Sequence, residues 1–263
     1  MNRKFNSFLI LALGVSLAIA ACNQSDKKEE ASTTSDSTMN ATSDTAQPMS
    51  MTQDNEVDAL KAAPALYKLV KDSMGIRIEE ATYKPGDSSA LHSHPDYALY
   101  VINGGMAQFT EKDGSKSERE MKSGMANIRA AEVHSVKNTG KTTIKVLLVE
   151  VNRPKETTSQ DAAMDATKVS PDLYKLKKDT LGLRVIEATY KPGQSSAMHA
   201  HPDNAIYAVS GGTAEFTEKD GTKRTLELKT GMSIIVPAGV HSVKNTGKST
   251  LKVILVEVNR AMR

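Results

Sequence analysis

The stretch Gly193-Gln-Ser-Ser-Ala-Met-His199-Ala-His201-Pro-Asp-Asn-Ala-Ile-Tyr-Ala-Val-Ser-Gly211-Gly212 decides the fold. It sets an H-x-H between a Pro-Gly turn signal and a glycine pair. On a strand, side chains alternate with period two, so the two imidazoles of an H-x-H project to one face. The same pattern stands at Gly86–Gly105 with His92 and His94. A third histidine, His134 or His241, follows 40 residues after the second of each pair. These six are all the histidines of the chain, and each lies 107 residues from its counterpart. A residue type confined to two copies of one pattern reads as a metal-ligand set, because imidazole is the commonest protein ligand for transition metals.

Working outward, Leu66–Arg153 aligns with Leu173–Arg260 without a gap, and 58 of the 88 positions are identical. That is a tandem duplication, and a chain of 263 residues has room for two domains of this size. Within each copy the segments are short and β-compatible. Ile76–Tyr83 runs into the turn Lys84-Pro85-Gly86, Ala98–Ile102 into Asn103-Gly104-Gly105, and Met106–Glu111 into Lys112-Asp113-Gly114. Thr143–Val151 closes the copy, and no stretch after the N-terminal segment has helical periodicity. The expected class is all-β, two small sandwiches or barrels packed together to bury more apolar surface per residue than either alone. Tryptophan is absent and aromatics make up 4%, so aliphatic side chains must supply the core. The net charge of +3 is spread over interspersed acids and bases, without the basic stripe that nucleic-acid binding needs.

The second copy continues Gly231, five residues, Pro237-Ala238-Gly239-Val240-His241, three residues, Asn245. With the first stretch, this resembles the two sequence motifs of the cupin superfamily. The first copy keeps Gly124, His134 and Asn138 but reads Ala130-Ala131-Glu132 in place of Pro237-Ala238-Gly239. The resemblance spans nearly all of both repeats and implies a bicupin: two tandem jelly-roll barrels with a metal site in each mouth. It assigns His92, His94, His134 and His199, His201, His241 as ligands of a divalent metal ion, with iron, manganese, zinc and nickel as the alternatives. The family's first motif usually adds a glutamate ligand. The aligned positions are Tyr97 and Ala98, or Asn204 and Ala205, so both copies lack it. Glu132 replaces a glycine where a turn can require positive φ, so the first copy's loop is expected to sit differently and to misplace His134. The second site is therefore expected to dominate.

Smaller expectations attach to residues repeated in both copies. Tyr100 and Tyr207 read as core packing, with a barrel-lining hydroxyl as the alternative. Arg77, Arg184, Glu80 and Glu187 read as a solvated strand face, with contact to a substrate anion or an acid/base role as the alternative. Asp96 and Asp203 follow the H-x-H-Pro directly, and spacing leaves their direction open.

The N-terminus reads as a targeting segment. Arg3 and Lys4 precede the apolar run Phe8–Ala21, 14 residues long and too short to span a bilayer as a helix. Ile19-Ala20-Ala21-Cys22 resembles the lipobox of bacterial lipoproteins, which implies that the lone cysteine carries the lipid and that membrane contact is through it alone. Asn23 favours, by the same resemblance, sorting to the outer membrane. The expected organisation is a signal peptide (1–21), a flexible polar linker (22–60), a first cupin domain (61–154), a linker (155–170) and a second cupin domain (171–263). Three functions are expected to compete. One is a metal-dependent dioxygenase or isomerase acting on a small molecule; another is a non-catalytic binding module for a small molecule or metal; the third is a structural or interaction lipoprotein whose barrels are relics. The two barrels are expected to form an intramolecular pseudo-dimer, with higher homo-oligomers left open.

Overall fold

The computed structural model describes residues 57–159 and 161–262. The signal peptide, Cys22 and most of the tether lie outside the described residues. The first repeat folds as α1 (Ala59–Ala62), β1 (Tyr67–Ser73), β2 (Ile76–Tyr83), β3 (His92–His94), β4 (Tyr97–Asn103), β5 (Gly105–Glu111), β6 (Lys116–Met121), β7 (Ala126–Arg129), β8 (Glu132–Asn138) and β9 (Ile144–Val151). The second follows as α2 (Ala166–Val169), β10 (Tyr174–Thr180), β11 (Leu183–Tyr190), β12 (His199–His201), β13 (Asn204–Ser210), β14 (Gly212–Glu218), β15 (Lys223–Leu228), β16 (Ser233–Val236), β17 (Gly239–Asn245) and β18 (Leu251–Val258). In each repeat a five-stranded sheet, β1-β2-β9-β4-β7 or β10-β11-β18-β13-β16, faces a four-stranded one, β3-β8-β5-β6 or β12-β17-β14-β15. All named pairings are antiparallel. This is the jelly-roll architecture that the cupin resemblance implies, within the sandwich-or-barrel class expected from the short strands and glycine turns.

The five-stranded sheets are apolar on both faces, and the alternation sorts their residues into two cores. In β4, Tyr97, Leu99 and Val101 point into the first barrel while Ala98 and Tyr100 point out of it. The outward set joins Ile76, Ile78, Leu147 and Val149 with Leu183, Val185, Tyr207, Ile254 and Val256 in one cluster between the barrels. Full burial of a large aliphatic side chain is worth about 1.5–3 kcal/mol. The shared layer therefore contributes to holding the two repeats together. Tyr100 and Tyr207 belong to this layer, in line with the packing expectation, and their hydroxyls do not line a barrel.

Asp96 and Asp203 settle the one direction that spacing left open. They turn away from the histidines and cross between the repeats. Arg260 Nη2 donates to Asp96 at 2.7 Å and Arg153 Nη2 to Asp203 at 2.8 Å. Each aspartate also accepts from the backbone ahead of the third histidine, Ala131 N or Ala238 N, at 2.8 Å. Burial alone would raise the Asp96 carboxyl, but the hydrogen bonds from Arg260 and Ala131 outweigh it and hold it below the ordinary range. The arginines are anchored behind the β1–β2 and β10–β11 hairpins, where Arg153 Nε donates to Met74 O at 2.8 Å. Gly75 at that hairpin has φ +66, and a Cβ there would stand 3.1 Å from Arg153 Cγ, so both conformation and space call for glycine.

The repeat also starts earlier than the alignment from Leu66 suggests. Asp58 caps α1 through Leu60 N and ion-pairs with Arg77, and Asp165 does the same for α2 and Arg184. Ser93 N donates to Val57 O and Ala200 N to Met164 O, so these segments lie along the H-x-H strands. Stretches that composition marks as polar linker thus supply the end caps of both barrels. Among the described residues no helix is long and apolar enough to cross a membrane.

Candidate metal centre

β3 pairs with β8 and β12 with β17, with His92 directly opposite His134 and His199 opposite His241. This register brings the third histidine to the pair. In each repeat one ligand atom from each of the three imidazoles lies within 4.8 Å of the others. The six predicted histidines thus form two triads. Glu132 does not misplace His134, which corrects the expectation from sequence: the matching Gly239 does not have positive φ, so the turn never required glycine there.

Second partners orient the rings. His201 Nδ1 bonds Glu257 Oε1 at 2.6 Å, and His94 Nδ1 bonds Glu150 Oε1 at 2.6 Å. A ring whose Nδ1–H is held by a carboxylate presents its Nε2 lone pair to a metal. His201 Nε2 and His94 Nε2 are buried and have no hydrogen-bond partner. His199 Nδ1 bonds Ala197 O at 2.7 Å, leaving Nε2 to accept from Tyr174 Oη at 2.9 Å. Tyr190 Oη in turn donates to Tyr174 Oη at 2.6 Å. His92, Tyr67 and Tyr83 repeat the relay in the first barrel at 3.0 Å and 3.0 Å. Burial pushes His92 and His199 down to about 4 and His241 down to about 3, so these rings are neutral at neutral pH, as metal ligands must be. Buried partnerless nitrogens, carboxylate-oriented rings and neutral imidazoles together fit a divalent metal of borderline softness.

The tyrosine relay and the two glutamates were not anticipated. Glu150 and Glu257 are fully buried acids at the end of the apolar runs of β9 and β18, and that misplaced charge was the available signal. Arg77 and Arg184 neutralise these glutamates: Arg77 bonds Glu150, and Arg184 Nη1 bonds Glu257 at 2.8 Å. They belong to an internal network, which corrects their reading as a solvated face. Glu80 and Glu187 stay nearer the surface, 3.1 and 3.0 Å from Lys145 and Lys252.

The barrels differ inside. The second triad opens on a cavity of about 400 Å³ lined by Asn204, Ile206, Phe216, Leu226, Val236 and Val243 among others. The corresponding space in the first is about 50 Å³. There Tyr97 Oη donates to Glu132 Oε1 at 2.5 Å, and Arg129 Nε donates to the same oxygen at 2.6 Å. Glu132 also lies 3.3 Å from His134 Nδ1. Burial raises the Glu132 carboxyl, but His134, Arg129 and Tyr97 together hold it well below the usual range. The second repeat has Asn204, Val236 and Gly239 at these three positions.

Comparison with known proteins agrees with this geometry. Residues 186–257 match the family described as Cupin domain. No curated protein matches the chain in sequence. Solved structures of similar fold include an oxalate decarboxylase at 17% identity and a TM-score of 0.55, covering 75% of this chain and 74% of that one. Another is the Lactobacillus farciminis oxalate decarboxylase in a formate complex, at 16% identity, a TM-score of 0.52, and 74% and 82% coverage. A study of the Mn(II) centres of the Bacillus subtilis oxalate decarboxylase gives a third, at 16% identity, a TM-score of 0.52, and 78% and 72% coverage. Residues 186–257 make the second repeat a cupin domain, and the first repeat, identical to the second at 58 of 88 positions, has the same fold.

Proposed function

We propose that this protein is a metal-binding bicupin of the cell envelope, anchored by lipid on Cys22, whose second barrel is the working site. The observation that carries the proposal is the His199–His201–His241 triad, with its partnerless His201 Nε2, at the wall of a cavity large enough for a small molecule. The first triad holds a second metal behind the Tyr97–Glu132–Arg129 plug and serves stability. Manganese is the first candidate, from the solved relative with Mn(II) centres, with iron, zinc and nickel as alternatives.

When bound, the metal supplies Lewis-acid polarisation or a redox centre for a small molecule, as in a dioxygenase or isomerase. Glu257 holds the His201 tautomer, His199 gives a bound metal the Nε2 lone pair that otherwise accepts from Tyr174, leaving the Tyr174–Tyr190 hydroxyl pair beside it, and the apolar wall excludes water. A second reading, a non-catalytic binding module, is favoured by one feature. The charged pair lining the cavity, Glu218 and Arg224, is tied together at 3.0 Å, which leaves neither as a ready acid or base.

Metal analysis of the full chain, combined with timed chelation, tests the proposal. Two metals per chain are expected, one leaving fast and one slowly. His199→Ala should abolish the fast phase and His92→Ala the slow one. A protein that takes up no metal from manganese, iron, zinc or nickel sinks the proposal. Labelling with radioactive palmitate, lost in Cys22→Ser, tests the anchor.

A further inference from the structure

The wall of the second cavity carries information about its occupant. Ile206, Phe216, Leu226, Leu228, Val243 and Val253 make it aliphatic and aromatic over most of its extent. The lining cation, Arg224, is half exposed at the cavity's edge, with its Nε 3.0 Å from Glu218 Oε1 and its guanidinium 4.6 Å from the Phe216 ring centroid. One polar atom is left over besides the histidines. Asn204 gives its Nδ2 to Pro202 O at 2.8 Å, while its Oδ1 is buried with no partner. An unpaired buried acceptor costs free energy until a donor meets it. The first barrel fills the same position with Tyr97 and has no such acceptor.

From this we infer that the second barrel takes a molecule with an apolar alkyl or aryl body and an oxygen head that chelates the metal and donates a hydrogen bond to Asn204. Small dianions such as oxalate are not its ligands. A dianion of a few atoms would leave most of a 400 Å³ apolar cavity unfilled, and besides the metal it would meet only Arg224, a half-exposed cation already beside Glu218. The inference rests on the metal reading of the triad for the head group, and on the cavity alone for the body.

The test is calorimetric titration of the manganese-loaded full chain with n-alkyl hydroxamates, from acetohydroxamate to octanohydroxamate, and with oxalate. Every hydroxamate offers the same chelating, hydrogen-bonding head. Affinity is expected to rise about fourfold per added methylene until the cavity is full, with oxalate no tighter than acetohydroxamate. A series flat in chain length, or oxalate as the tightest ligand, overturns the inference while leaving the metal reading intact. Metal content of the same sample tests that reading separately. If no metal is found, n-alkanols from butanol to octanol decide the apolar class alone: the same slope supports it and a flat series removes it. Transplanting the plug, Asn204→Tyr with Val236→Arg and Gly239→Glu, should flatten the series at unchanged metal content. Gly239 has room for this, its added Cβ meeting nothing nearer than Pro237 O at 3.9 Å. The wild-type series stands by itself should the triple variant fail to fold.

Discussion

The two barrels share strand order, histidine register, tyrosine relay and carboxylate-held ring, yet one is filled and the other hollow. Three positions account for much of the contrast. Tyr97 faces Arg129 across β4 and β7, and Asn204 faces Val236 across β13 and β16. Glu132 then joins Tyr97 and Arg129 into a hydrogen-bonded plug where Gly239 leaves open space. A duplicated scaffold has kept the parts that bring three imidazoles together and changed the parts that admit a ligand. The lesson is that a metal triad and its access are set by different residues, so one can be lost while the other stays.

The largest effect is expected at the crossing ion pairs, which look symmetric in sequence and are unequal in burial. Asp96→Ala should cost about 3–5 kcal/mol in denaturant unfolding, because it strands the buried guanidinium of Arg260. Asp203→Ala should cost less, since its side chain is 15% exposed against 3% for Asp96. Equal losses would break the asymmetry. Next, Glu257→Gln should weaken metal binding about 10–100-fold in competition with a coloured chelator, by loosening His201. Glu150→Gln should do the same to the slow site, and an effect confined to one barrel would show that the carboxylates are not equivalent.

The smallest effect concerns an acid in one barrel alone. Glu79 is fully buried where the second repeat has Ile186, and burial, then the charge of Glu150, push it up to about 8 against the pull of Arg77. Its folded pKa lies above its unfolded one, so the folded state binds the proton more tightly. Below the unfolded pKa, near 4.5, both states are protonated and nothing is lost. As pH rises from there to about 8, the folded chain must keep a proton the unfolded chain has released, and stability falls. Glu79→Gln should therefore stabilise the protein by about 1–2 kcal/mol at high pH and by little in acid, as read by unfolding along a pH series. A gain independent of pH would sever the link to this carboxyl.

Much of the architecture was legible because it follows from periodicity. The 107-residue repeat, short β-compatible segments such as Ile76–Tyr83 and the glycine turns announced two all-β units, and H-x-H on a strand announced a shared face for His92 and His94. The end caps at Asp58 and Asp165 were missed because each is a single polar residue within a polar stretch, and its value lies in an arginine 19 residues away. The plug was misread for a related reason. Glu132 was judged by the backbone conformation it would force, whereas its role comes from Tyr97 on β4 and Arg129 on β7, two strands of the facing sheet.

The sequence by itself determined the duplication, the all-β class and the confinement of all six histidines to matching points of the two repeats. Those are properties of order along the chain: spacing, alternation and composition. Tertiary structure alone decided that Asp96 and Asp203 bridge the repeats, that Glu150 and Glu257 hold the histidine rings, and that one barrel is open. Each of those depends on which side chains from distant strands meet inside a closed sheet. Pairing register and the volume left over fix that meeting, and neither is written in local sequence.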